Sequence, residues 1–262
     1  MMADNLKELL QRVKPDLSED GLMGKFKEVA EDLISNYEIR KGNITYKFME
    51  IEFYYFCENH QDIITYPRHA DAGDWFFHAS GVDICFDSNV DVDKETHKIK
   101  TTQIPNDKKI GFGGILIRSL RKMENGYNDT FITGPQNCCY ELFDRFSGIG
   151  ELDNFPTIQK AEQIQMSGSI PCGRFFHFST SLENKLATIK KSNWEEIPNI
   201  GIESFETYLE KEYCFYDNNS FDDFHKFINR RKENKVHPTF RVIRQSCRAN
   251  NLSLKYFSSL NP

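Results

Sequence analysis

Glu50 and Glu52 lie two residues apart in Ile44-Thr45-Tyr46-Lys47-Phe48-Met49-Glu50-Ile51-Glu52-Phe53-Tyr54-Tyr55-Phe56-Cys57, a stretch dense in aromatic and β-branched residues. A carboxylate buried without a partner costs several kcal/mol or takes up a proton, so carboxylates among aromatic rings are suited to proton transfer. The plainer alternative is that both glutamates are solvated or pair with Arg or Lys. The turn-like Lys41-Gly42-Asn43 precedes the stretch, which therefore reads as a β-strand. Strict alternation places Ile44, Tyr46, Phe48, Glu50, Glu52, Tyr54 and Phe56 on one face.

Elements that can position this strand lie on both sides of it. Leu6, Leu9, Leu10 and Val13 recur at helical spacing up to Pro15. Ser18-Glu19-Asp20 can start a second helix, whose Leu22, Phe26, Val29, Leu33 and Ile34 form an apolar stripe. A polar loop, Glu58 to Asp71, carries His60, Tyr66, Arg68 and His69. Asp74 to His78 and Val82 to Asp87 flank Ala79-Ser80-Gly81 as a hairpin. Ser88 to Lys109 reads as a charged loop, and Phe112 to Leu120 as a strand whose glycines allow close backbone approach. Thr133-Gly134-Pro135 opens a helix to about Phe146, and Arg174 to Ser179 reads as a further strand.

From Trp194 onward the pattern is helical, and it becomes basic from Lys226 through Arg230, Arg231, Lys232 and Lys235 to Arg248. The expected fold class is α+β: a single domain with a curved, barrel-like antiparallel sheet flanked by helices, plus a helical C-terminal extension. The expected organisation is N-terminal helices over residues 1–40, the α+β core over 41–192, and a partly basic extension over 193–262.

With 262 residues and 22 Phe, the chain can fill the core of one large domain. Its net charge of −6 means that any attraction to a polyanion must come from a local patch. The seven Cys form no C-x-x-C pair and show no zinc-ligand spacing with His, so no metal or other cofactor is expected. Cys usage, and a first segment without the features of a signal peptide, point to a reduced, cytoplasmic protein. No apolar run reaches the ~20 residues of a membrane span, and a monomer with no membrane contact is expected.

Four motifs in order resemble the alkyladenine (3-methyladenine) DNA glycosylase family. Met49-Glu50-Ile51-Glu52-Phe53-Tyr54 is similar to that family's V-E-T-E-A-Y strand, and Ser80-Gly81-Val82-Asp83-Ile84-Cys85-Phe86-Asp87 to its Y-G-M-Y-F-C-M-N strand. Gly114-Ile115-Leu116-Ile117-Arg118-Ser119-Leu120 resembles V-L-L-R-A-L, and Thr133-Gly134-Pro135-Gln136-Asn137-Cys138-Cys139 resembles S-G-P-x-K-L-C.

The resemblance implies a DNA glycosylase that flips a modified base out of duplex DNA and hydrolyses its N-glycosidic bond without a lyase step. It implies Glu52 as the water-activating carboxylate, with Arg118 beside the flipped nucleotide. Tyr54 and Phe77 are expected to sandwich the base, with Tyr66, His78 and Asp87 completing the pocket. DNA contacts are expected from Ser80, Gly81, Arg68, Gly134, Arg230 and Arg231. A second source of basic residues would be Arg68, Lys108, Lys109 and Arg118.

The chain departs from the family pattern at named places. Ser80 stands where the family wedges a Tyr, Phe77 replaces a pocket Tyr, and Asp87 replaces an Asn that helps reject normal purines. The pocket His has no counterpart at matching spacing, and His60, Tyr66 and His69 share its loop. The alternative is a catalytically silent nucleic-acid-binding module of the same fold, or an unrelated α+β domain.

Overall fold

The computed structural model describes residues 3–90, 109–123, 130–143, 154–162, 169–172, 208 and 211–217. Helix α1 spans Ala3–Leu10 and α2 spans Glu19–Asn36. Ser18 caps α2: its side chain accepts a hydrogen bond from the Gly21 N–H, one of the donors that a helix start leaves unsatisfied. The stripe Leu22, Phe26, Val29, Leu33 and Ile34 is buried, as its spacing predicts. Each such side chain contributes about 1.5–3 kcal/mol of burial before entropy is counted. The helix stops where Tyr37 turns to extended backbone and enters strand β1, Tyr37–Lys41. Residues 1–40 thus supply most of a sheet strand as well as helices.

Two long strands form the centre of the sheet. Strand β2, Ile44–Cys57, runs antiparallel to β8, Gly111–Met123, from the Thr45–Met123 pair to the Cys57–Gly111 pair. The far edge of β2 is shared along its length by β1, by β12 (Cys214–Asp217) and by β3 (His60–Gln61). The far edge of β8 carries β6 (Gly81–Cys85) and β9 (Thr130–Thr133). Beyond β6 lies β5, Trp75–His78, completing the expected hairpin. Outer strands β10 (Thr157–Lys160) and β11 (Ser169–Cys172) pair with β1 and β12. A separate ribbon joins β4, His69–Ala70, to β7, Ser88–Asn89. Helix α3, Pro135–Phe143, follows Gly134 as expected, and its expected continuation to about Phe146 lies outside the described residues. The architecture is α+β, with the antiparallel sheet curled into a half-barrel.

The sheet has a helix face and a polar face. On the helix face, Phe48, Ile51, Phe53, Tyr55, Ile115 and Ile117 join the α2 stripe in one core. Phe26 of α2 lies 4.8 Å from Phe53 and 5.2 Å from Tyr213, ring centroid to ring centroid. These rings fix the tilt of α2 on β2 through offset and edge-on contacts.

Strict alternation along β2 fails at one point. Phe48 pairs with Leu120, Glu50 with Ser119 and Ile51 with Ile117, so Met49 and Arg118 fall outside the pairing. Phe48 and Ile51, three residues apart, consequently both face the core. Ile44, Tyr46 and Phe48 do not share a face with Glu50 and Glu52; the irregularity inverts the phase between them. Bulges of this kind re-aim side chains at the cost of local pairing.

Past residue 192, Tyr208 is helical as expected, but the rest of the described stretch departs from expectation. Cys214–Asp217 is a strand in the central sheet, not a helix, so the sheet takes one of its members from the C-terminal third. The expected strand 174–179, most of the loop 88–109, and the basic run with Arg230 and Arg231 lie outside the described residues.

Candidate functional site

The phase inversion delivers Arg118 to the polar face between the two glutamates. Its Nε donates to Glu50 Oε1 at 3.2 Å and its Nη1 donates to Glu52 Oε2 at 2.8 Å. Ser119 Oγ and Cys214 Sγ also donate to Glu50, at 3.3 and 3.2 Å. Glu52 is fully buried, Glu50 is 2% exposed and Arg118 is 7% exposed. A buried guanidinium bridging two carboxylates offsets much of the desolvation cost of each. Behind it, the Gly134 N–H donates to the Arg118 carbonyl at 2.9 Å, tying the bulge to the start of α3. Gly134 has φ +95, and Gly81, φ +150, packs so closely on Pro135 that a Cβ would approach its Cβ to 2.9 Å. Gly81 and Gly134 thus meet at the back of the site as packing elements, with Ser80 exposed in the turn.

A second ionic cluster stands on the same face. Cross-strand pairing runs Glu52 to Leu116, Leu116 to Asp83 and Asp83 to Phe76, one row across β2, β8, β6 and β5. At the usual strand spacing, Glu52 and Asp83 are about 10 Å apart, with Leu116 between them. Asp83 Oδ2 accepts from Arg68 Nη1 at 2.7 Å, and Asp83 Oδ1 lies 3.0 Å from His78 Nε2. Burial alone would push the Asp83 carboxyl up; the Arg68 charge and the His78 hydrogen bond outweigh it and hold the pKa below the ordinary value. Burial raises the neighbouring Cys85 thiol to about 11 despite Arg68.

His78 has both ring nitrogens engaged. The Ser80 N–H donates to Nδ1 at 3.2 Å, which leaves Nε2 to carry the hydrogen toward Asp83. His78 therefore contributes a ring face. Tyr66, 38% exposed, lies 5.3 Å from that ring and Phe76 6.0 Å on, while the Arg68 guanidinium sits 3.9 Å over Phe76. Arg68 Nε also donates to the Tyr66 carbonyl, so one buried arginine holds both the acid and the aromatic rim.

The structure brings together Glu52, Arg118, Tyr54, Tyr66, His78 and Arg68 on the polar face, though Arg68 is buried in its ion pair and does not present itself to DNA. It separates others. Phe77 pairs with Val82, a core residue, and packs on Phe143 of α3 at 4.6 Å. Tyr54 pairs with Gly114, which in turn pairs with Cys85, three residues along β6 from Val82 and so on the opposite face. Tyr54 and Phe77 form no sandwich, and Phe76 is the ring of that strand on the Glu52 side. Asp87 accepts from Gln11 Nε2 and the Ala72 N–H, both at 2.7 Å, and so anchors the turn after α1 to the loop before β5 instead of joining the Glu52 site.

Of the loop histidines, His69 is exposed. His60 is buried, between the Tyr55 carbonyl at 2.7 Å and Tyr213 Oη at 2.6 Å, and belongs to the core. Asp83, Phe76, Ser119 and Cys214 are members that sequence reasoning missed. Only the first two left a signal, the shared parity of residues 76 and 78 in a hairpin whose register was not fixed. Surface clefts of about 560 and 660 Å³ lie around Glu141 and around Gln11, and the second is lined by His69 and Asp87.

Among the described residues, no helix is long and apolar enough to cross a membrane. Comparison with family models, with curated proteins and with solved structures returns no match.

Proposed function

We propose that the protein is a monofunctional DNA glycosylase of the alkyladenine type, which holds a flipped, modified base over the polar face and hydrolyses its N-glycosidic bond. The observation that carries this reading is the union of Glu52, Arg118 and Tyr54 on one sheet face, the three residues to which the motif resemblance assigns the catalytic carboxylate, the neighbouring arginine and a stacking ring. In the proposed reaction Glu52 accepts a proton from the attacking water, and its negative charge stabilises the oxocarbenium-like sugar. Arg118 positions Glu52 through the 2.8 Å hydrogen bond. Tyr54 and the Tyr66–His78 pair supply ring faces for the base, the role first expected of Phe77. Base release without a lyase step needs no amine nucleophile.

A second reading, a catalytically silent nucleic-acid-binding module, is favoured by the complete burial of Glu52 and its ion pair with Arg118. The two readings separate in one experiment. Duplexes carrying a panel of modified bases are incubated with the protein and with Glu52→Gln, and abasic sites are quantified beside binding. The enzyme reading expects abasic sites from the parent alone, with similar DNA affinity for both proteins. Binding without abasic sites on any duplex leaves the silent module. If Glu50→Gln is inactive while Glu52→Gln retains full activity, the wrong carboxylate has been chosen.

A further inference from the structure

Cys172 of β11 and Cys214 of β12 stand directly across from each other, and Cys214 in turn stands across from Glu52 of β2. The two cysteines are about 40 residues apart in sequence, a loop that the pairing of β11 with β12 has already closed. Directly opposed residues of an antiparallel pair have Cα atoms about 4.5 or 5.5 Å apart, and disulfides join Cα atoms about 4.4–6.8 Å apart. Either spacing admits an S–S bond with the backbone left in place. Among the described residues this is the one place where cysteines oppose each other. Cys57 stands across from Gly111 and His60, and Cys85 across from Gly114. Cys138 and Cys139 are neighbours on α3, where consecutive side chains diverge.

Cys214 is fully buried, and its thiol donates to Glu50 Oε1 at 3.2 Å. The same oxygen accepts from Arg118 Nε, and Arg118 Nη1 holds Glu52. The Cys214 hydrogen is thus one of the donors that seat the shared guanidinium and its two carboxylates. A disulfide sulfur has no hydrogen to give. Oxidation at this pair would remove that donor from Glu50 and leave Arg118 and Ser119 in place.

We infer that Cys172 and Cys214 form a reversible disulfide in response to a peroxide, a modification site that couples thiol oxidation to Glu50, Arg118 and Glu52. The Cys172 sulfur attacks one peroxide oxygen, the O–O bond breaks, and a sulfenic acid and water result. The Cys214 sulfur then attacks the sulfenic sulfur and expels its hydroxide. Glu50, which already accepts the Cys214 hydrogen, is placed to take that proton and pass it to the hydroxide as a second water. Across both steps two S–H bonds and the O–O bond break, and one S–S bond and two O–H bonds form. Each sulfur loses one electron, and the peroxide gains both. A thiol reductant reverses the modification by exchange.

The order of attack follows from the sheet. Among the described strands, β11 pairs with β12 alone, whereas β12 is enclosed between β11 and β2. An oxidant approaching from the sheet margin therefore meets β11 first, and the buried Cys214 is left to close the bond. Disulfides that form in a reducing compartment are usually transient and catalytic or redox-sensing. The inference depends on neither DNA nor hydrolysis. Where Glu52 does activate water, releasing Glu50 from β12 disturbs the guanidinium that positions Glu52, so oxidation lowers base release.

The test treats the full chain with hydrogen peroxide and maps cross-links by peptide mass spectrometry without reduction. The expected product joins the peptide of Cys172 to that of Cys214, with loss of both thiol hydrogens and their recovery in dithiothreitol. Cys172→Ala retains the Cys214 hydrogen bond and loses the cross-link. In Cys214→Ser the closing thiol is missing, so a sulfenic acid collects at Cys172 and is trapped by dimedone. The inference is overturned by a parent that keeps both thiols in peroxide, by a cross-link from either cysteine to a different one, or by a disulfide between chains. Mapping uses no substrate, so its result stands whether or not modified bases are released. If they are released, peroxide should lower the rate several-fold in the parent and leave Cys172→Ala unaffected. Equal rates in oxidised and reduced parent would overturn the coupling to the glutamates.

Discussion

Arg68 is seated against Gly114: a Cβ at residue 114 would come to 2.9 Å from Arg68 Nη1 and 2.8 Å from the Ile84 carbonyl. Only a residue without a side chain leaves room for a guanidinium flat on the sheet at that point. Gly114→Ala should therefore cost about 1–3 kcal/mol, the usual penalty of overpacking a filled interior. Urea denaturation measures it. An Ala variant as stable as the parent would show that Arg68 has another seat.

The same cluster should shape stability in acid. The Asp83 pKa is held below 3.8, so the carboxylate binds its proton more weakly folded than unfolded. Its stabilising contribution is complete above the unfolded value and is lost as pH falls through the folded one. In Asp83→Asn the loss of stability below about pH 4 should be shallower than in the parent. Denaturation midpoints across the acid range decide it, and superimposable slopes would refute the assignment.

Arg118 is shared by two buried carboxylates, so it cannot be removed cheaply. Arg118→Met should cost about 3–5 kcal/mol, because the negative charges remain inside without their guanidinium. Adding Glu50→Gln and Glu52→Gln to that variant should recover part of the loss. A triple variant no more stable than Arg118→Met would mean that packing, not charge, sets the cost.

The two aromatic residues first expected to sandwich a base should now behave differently. Tyr54→Ala should weaken binding to a duplex carrying a releasable base by about 1–3 kcal/mol, the range for a lost stacking ring. Phe77→Ala, on the other face, should leave that affinity unchanged. Equal losses in both variants would contradict the face assignment.

Some of this was legible in the chain. Ser18 and the Leu22 to Ile34 stripe fix α2 because capping and helical periodicity are local signals. Ala79-Ser80-Gly81 marks the hairpin for the same reason. The burial of His60 was not legible, since its partner Tyr213 lies 153 residues away. Strand β12 was hidden too: what makes Cys214–Asp217 a strand is a vacant stretch of β2 edge beside Glu50 to Glu52, not its own pattern. The face of Phe77 was misread because alternation within a hairpin gives relative parity only. Which parity meets Glu52 depends on the pairing of β6 with β8.

Met49 and Arg118 have a further consequence for tolerance to changes in length. Each strand of the central ribbon carries one residue more than alternation between Phe48 and Ile51, or between Ile117 and Leu120, requires. Deleting either residue alone would slide one strand against the other and turn seven or more side chains to the wrong side. Deleting both would leave every remaining pair in register and the ribbon regular. The sheet is thus complete without the surplus pair, and Arg118 occupies a place that serves the two glutamates and not the ladder.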